Sequence, residues 1–236
     1  HRKAIELKPD LIGAYSNLGN TLKDFGKLEE AKKVFQKCIE FQPNEISHIS
    51  SLMSVLSILS SWDELQRLLP YLKHIGLEGK GINPLSLMYF EDNPENHLKR
   101  AIKYNQEREM EPIPNQNIYN NSKINIGYFS TDFREHPVSV LFTRILELHD
   151  NSRFNVFAYS LSNTKDIYTE RIKNSVFRFR EVCDLSDHEI VNIARNDKLD
   201  IAIDLNGLTE NNRKCIFDYR AAPIQINYLG YPGTMG

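Results

Sequence analysis

The residues of this chain best suited to chemistry lie together in 123–140, KINIGYFSTDFREHPVSV, where Asp132, Arg134, Glu135 and His136 share one short stretch. A carboxylate and an imidazole four residues apart can handle a proton between them or orient a sugar hydroxyl. The same spacing also suits a plain structural arrangement, with Asp132 closing a turn and His136 near a helix start, because polar loop side chains often satisfy backbone groups. Spacing alone leaves both readings open. Arg134 and Glu135 are long and flexible and are expected to point to solvent. Two further stretches, Asn206-Gly207-Leu208-Thr209 and Gly230-Tyr231-Pro232-Gly233-Thr234-Met235-Gly236, carry glycines that let backbone N–H groups approach a phosphate or sugar. No G-x-G-x-x-G follows the first strand and there is no Walker lysine, which argues against a dinucleotide or P-loop enzyme.

For these stretches to converge, each must leave the carboxyl end of a parallel strand, where open α/β sheets bind their ligands. The strand candidates are Ile124–Ser130, Phe154–Leu161, Phe177–Leu185, Ile201–Leu205 and Ile224–Leu229. Helical runs alternate with them: Val138–His149, Asp166–Val176, Asp187–Asn196 and Asn211–Tyr219. Ser186 or Asp187 is expected to cap the third of these and Asn211 the fourth. Strands that do not alternate apolar with polar predict a parallel sheet covered on both faces. Residues 123–236 therefore read as a Rossmann-like α/β lobe.

Upstream, the chain repeats itself. Ala4-Ile5-Glu6 and Pro9 recur as Cys38-Ile39-Glu40 and Pro43, an offset of 34 residues, which is the tetratricopeptide period. The complete unit runs from Asp10 to Pro43. Its first helix lines up Ala14, Leu18, Leu22 and Phe25, with small Gly19 where a second helix can come close. That second helix presents Leu28, Ala31, Phe35, Cys38 and Ile39 on one face. A degraded unit follows, with helices expected over Glu45–Leu59 and Asp63–Ile75 and a cap at Ser60 or Ser61. Residues 1–75 thus form the repeat region, and further units are expected before residue 1, since one repeat cannot bury its own faces.

Residues 76–122 read as adaptor and linker, with a helix over Pro94–Arg108 docked by Leu98, Ile102 and Tyr104 and a Pro/Asn-rich stretch after it. His48, His74 and His97 are expected on helix surfaces. With 41% hydrophobic residues, 25% charged and a net charge of -2, the chain is an ordinary globular sequence with no electrostatic case for nucleic acid or an anionic membrane. No apolar run approaches the roughly 20 residues that span a bilayer. The three cysteines, Cys38, Cys183 and Cys215, have no metal-ligand spacing and suit reduced thiols in a cytoplasmic protein.

Four ordered blocks behind the repeats carry a resemblance: GYFSTDFREHPVS at 127–139, FNVFAYSL at 154–161, DIAIDLNGLT at 200–209 and RAAPIQINYLGYPGTMG at 220–236. In these and in the repeat-then-lobe order, the chain resembles the protein O-linked N-acetylglucosamine transferases and their SPINDLY relatives. The resemblance implies an inverting, metal-independent glycosyltransferase of the two-lobed GT-B kind. It would move N-acetylglucosamine from UDP-GlcNAc to Ser/Thr hydroxyls of acceptor proteins guided by the repeats. It further implies that His136 faces the sugar, that Asp132 orients or relays a proton, and that Leu229, Gly230, Pro232, Gly233 and Thr234 lie beside the donor sugar. Most uridine and pyrophosphate contacts would come from a second lobe after Gly236, so this stretch alone is expected to be inactive. Three departures stand out: a family histidine is missing from INPLSLMYF at 82–90, Glu135 replaces a smaller amide, and Val138 replaces a threonine. The alternatives are a SPINDLY-type O-fucosyltransferase using GDP-fucose, against which the His136-Pro137 pair leans, and a repeat scaffold without catalysis.

Overall fold

The computed structural model describes residues 1–106 and 119–236. The end of the helix expected over Pro94–Arg108 and most of the Pro/Asn-rich stretch lie outside the described residues. The chain divides into two compact units, His1–Arg108 with Gly236, and Glu109–Met235.

The first unit is helical: α1 (Arg2–Leu7), α2 (Ile12–Asp24), α3 (Leu28–Phe41), α4 (Ile46–Ile58), α5 (Trp62–Leu68) and α6 (Pro94–Gln106). As the spacing predicts, α2 and α3 meet through Gly19 and Phe35. A Cβ on Gly19 would sit 2.7 Å from the Phe35 ring, so only glycine admits the buried phenyl group. Phe25 departs from its expected place; it is the C-cap residue of α2 and is exposed. The helix expected over Asp63–Ile75 ends at Leu68 and tightens into a 3-10 turn over Leu69–Lys73. Pro70 accounts for this, having no N–H to donate and a ring that obstructs the preceding turn.

Three expectations for this unit need correction. His48 is buried, its Nδ1 accepting from Ser16 and its Nε2 donating to Gln42, and burial holds its pKa below the ordinary value. His97 is half-buried, with Nε2 donating to the Glu91 carbonyl. On α6 the docking residues are Arg100 and Ala101, whereas Leu98 and Ile102 stay exposed. The fully buried Arg100 guanidinium donates to the carbonyls of Leu72 at 2.7 Å and Ile75 at 2.9 Å and pairs with Glu91. A cation survives there because each of its three nitrogens has an acceptor, one of them a carboxylate.

The second unit alternates β1 (Ile124–Ser130), α7 (Pro137–Glu147), β2 (Phe154–Ser160), α8 (Ile167–Ser175), β3 (Arg178–Glu181), α9 (Asp187–Asn196), β4 (Ile201–Asp204), α10 (Cys215–Asp218) and β5 (Ile224–Asn227). The strands form one sheet in the order β3-β2-β1-β4-β5, with every pairing parallel. Ile126 and Tyr128 of β1 pack with Phe142, Leu146 and Ile172 on one face, while Phe129 joins Tyr159, Ile190 and Val191 on the other. Burial on both faces is why β1 and β2 read as largely apolar runs. The edge strands β3 (RFRE) and β5 (IQIN), expected to be covered on both faces too, stay partly exposed because each has a neighbour on one side only. Capping boxes at Asp166 and Ser186 start α8 and α9 where the sequence marks them. The fourth helix is the exception. It is confined to Cys215–Asp218, and Asn211, expected to cap it, instead adopts a left-handed turn with φ 57°.

Candidate active site

In this strand order the connections leaving β1 and β4 run to opposite sides of the sheet. The crevice at their carboxyl ends is the topological switch point where open α/β sheets bind ligands. A cleft of about 460 Å³ opens there. The loop after β1 supplies Thr131, Asp132, Arg134 and His136; the turn after β2 supplies Ser162; the loop after β4 supplies Thr209, Glu210 and Asn211; Gly230 closes the wall after β5.

Asp132 and His136 are brought together by the first turn of α7. Phe133, buried at 1% exposure, anchors the loop between them. The start of α8 ties the same loop down, Thr169 donating to the Phe133 carbonyl at 2.7 Å and the Glu135 N–H donating to Asp166. His136 is the N-cap of α7, its Nδ1 accepting the Val138 N–H at 3.2 Å. A nitrogen that accepts cannot carry the hydrogen, so the neutral ring bears it on Nε2. Nε2 has no hydrogen-bond partner in the protein among the described residues, which leaves a free donor on a side chain lining the cleft.

Asp132 is held from every side. Its N–H donates to Ser130 Oγ at 3.0 Å, its carbonyl accepts from Ser139 Oγ, and its carboxylate accepts Arg134 at Oδ1 and Asn206 at Oδ2, at 3.3 and 2.9 Å. Oδ2 also lies 3.7 Å from His136 Nδ1. With both oxygens engaged and only 8% of the residue exposed, this carboxylate is built to stay put and present negative charge. Beneath it, burial pushes the Asp204 carboxyl up, against the N–H groups of Asn206 and Gly207 that donate to it.

Of the residues expected at the site, Asp132, His136 and Gly230 line the cleft. Gly230 is required there: a Cβ would fall 1.8 Å from the Leu205 carbonyl oxygen, so its bare backbone seals the loop after β5 against that after β4. Leu229, with φ 70°, and Pro232, Gly233 and Thr234 lie along the same segment but outside the cleft wall. Arg134 differs from expectation: it faces the cleft and Asp132, and only Glu135 turns to solvent. Sequence reasoning placed Asn206 in a ligand-facing loop without a role, read Asn211 only as a helix cap, and did not single out Glu210. The signal for Asn206 was an Asx-Gly turn directly after a strand next to β1. Among the described residues no group of three His, Cys, Asp or Glu side chains is placed to hold a metal ion.

Residues 12–45 match the tetratricopeptide repeat family. The probable UDP-N-acetylglucosamine–peptide N-acetylglucosaminyltransferase SEC of Arabidopsis thaliana is 39% identical over 115 residues, 48% of this chain and 12% of the relative. The corresponding transferase of Caenorhabditis elegans is 36% identical over 121 residues, 50% of this chain and 10% of the relative. A probable transferase of the same description from Oryza sativa, SPINDLY, is 31% identical over 161 residues, 64% of this chain and 17% of the relative. The chain thus spans between about a tenth and a sixth of the length of these relatives. A solved O-GlcNAc transferase mutant of Thermobaculum terrenum shares the fold, with a TM-score of 0.66 at 24% identity over 97% of this chain and 46% of that one. Residues 102–236, more than half of the sequence and all of the parallel sheet with its cleft, match the pattern of one group of sugar-transferring enzymes, and the chain belongs to glycosyl transferase family 41.

Proposed function

We propose that this chain contributes the acceptor-side wall of a protein O-GlcNAc transferase, which moves N-acetylglucosamine from UDP-GlcNAc to Ser/Thr hydroxyls with inversion and without a metal ion. The observation that carries the reading is the Asp132–His136 pair at the switch-point cleft of a family 41 chain. In the transfer, the acceptor oxygen bonds to the anomeric carbon as the bond to the diphosphate breaks. UDP leaves with the electron pair, and the proton that the hydroxyl gives up passes, directly or through water, to the departing diphosphate. Such a step is accelerated by fixing the reactants and by donors aimed where charge develops.

The tautomer of His136 suits it to the second task, its Nε2–H donating to a sugar or phosphate oxygen. Asp132, with both oxygens engaged, suits an orienting anion better than a base. The repeats guide the acceptor protein, and the enzyme works in the cytoplasm. No helix among the described residues is long and apolar enough to cross a membrane. The test is a competition between UDP-GlcNAc and GDP-fucose over a pool of Ser/Thr peptides, using protein expressed from its complete coding sequence. Label from UDP-GlcNAc is expected. Label from GDP-fucose alone would overturn the donor, and none from either would leave only a repeat scaffold.

A further inference from the structure

Asn206 sits 74 residues from Asp132 in sequence and is 2% exposed, yet its side chain binds the catalytic loop at three points. Its Oδ1 accepts the Thr131 N–H at 2.9 Å; its Nδ2 donates to Thr131 Oγ1 at 2.8 Å and to Asp132 Oδ2 at 2.9 Å. The residue itself is fixed by the turn after β4, its N–H donating to Asp204 and its carbonyl accepting from Thr209. Both Nδ2 hydrogens are therefore spent on the loop after β1, and the Asp132 oxygen that one of them reaches, Oδ2, is the one nearest His136. No other described contact fixes that oxygen at hydrogen-bond distance.

We infer that Asn206 is a positioning residue for sugar transfer, locking the Asp132 carboxylate in the orientation that faces His136 and coupling the loop after β4 to the loop after β1. This rests on the transferase reading above. Asn206 does not itself line the cleft, so it acts through Asp132 and not on the donor. An amide is needed because it offers an acceptor to Thr131 and donors to Asp132 at once. A carboxylate in its place would set two like charges face to face. The charged groups around Asp132 are Arg134, His136, buried Asp204 behind Asn206, and Glu210 in the cleft wall.

The test compares N206A and N206D with wild type, all from the complete coding sequence, using UDP-GlcNAc and the peptide that wild type labels best. Loss of a buried hydrogen bond to a charged group predicts an N206A kcat lower by about 10–100-fold, with donor KM within about threefold. N206D keeps the shape. At neutral pH its two facing carboxylates repel, so it is slow. As pH falls and the introduced acid takes a proton, it donates to Asp132, and the N206D-to-wild-type rate ratio rises. A purely structural asparagine would give no such rise. Circular dichroism of N206D checks folding. A folded N206D whose rate ratio is flat with pH, or an N206A kcat within twofold of wild type, overturns the inference while leaving the transferase reading intact. A wild type that labels nothing from UDP-GlcNAc overturns both.

Discussion

His136 performs two tasks that can be separated by mutation. Its Nδ1 caps α7 by accepting the Val138 N–H, and its Nε2–H is offered to the cleft. His136→Ala removes both. Losing a cap of this kind costs about 0.5–2 kcal/mol, so this variant should be less stable by that amount, and its Val138 amide should exchange with solvent faster. Its turnover should fall ~10²–10⁴-fold, the usual worth of an acid–base or orienting group. His136→Asn is the discriminating variant. Asparagine is among the best N-cap residues, and the extended backbone here, φ −155° and ψ 148°, suits it. Its amide is too short to replace Nε2. His136→Asn should therefore keep near-normal stability and a protected Val138 amide, yet lose turnover as badly as His136→Ala. Amide exchange by NMR, thermal melting and single-turnover labelling from UDP-GlcNAc would read the three quantities in the complete protein. Folded His136→Asn with turnover within a few-fold of wild type would refute the catalytic half of the argument. Equal Val138 exchange in the two variants would refute the capping half.

Other perturbations probe the scaffold. Trp62 is the sole tryptophan of these 236 residues and lies in the helical unit, so urea unfolding of this stretch followed by its fluorescence reports that unit. Phe35→Ala should cost ~3–5 kcal/mol there, because the ring is 1% exposed and packed on Gly19; a shift no larger than that of an exposed Lys→Ala control would dismiss the repeat packing. Arg100→Ala should cost about 3–5 kcal/mol by leaving Glu91 and two carbonyls without their shared partner, and an unmoved urea midpoint would sink that account. Burial depresses the pKa of His149, whose ring bonds the Tyr128 hydroxyl at 2.8 Å. A histidine depressed in the folded state contributes stability above its ordinary value of about 6.5, and that stability is lost as pH falls through the lower folded value. Melting temperature should accordingly drop below pH 6.5, and His149→Gln should flatten that limb; an unchanged slope would reject the assignment.

Much of this fold was legible in the sequence because the signals are local. Two-sided burial writes itself as largely apolar runs at β1 and β2, capping boxes mark the starts of α8 and α9, and the repeat pattern marks small Gly19 for a close helix approach and Phe35 for the packed face of the next helix. The loop of Asp132 and His136 was visible for the same reason: strand, polar turn and proline-led helix adjoin in the chain. What the tertiary structure decided was which distant groups meet. Strand order puts β4, not β3, beside β1, and so brings Asn206 to Asp132 and turns Arg134 into the cleft. The carbonyls that hold Arg100 lie 25 and 28 residues away, and no periodicity announces them. The same holds for the ring of His136, whose proton position follows from a single backbone N–H and not from residue type. Apolar spacing and capping propensity act over one or two turns of chain, whereas burial of a charge and the partner of a carboxylate depend on how the finished sheet stacks its loops.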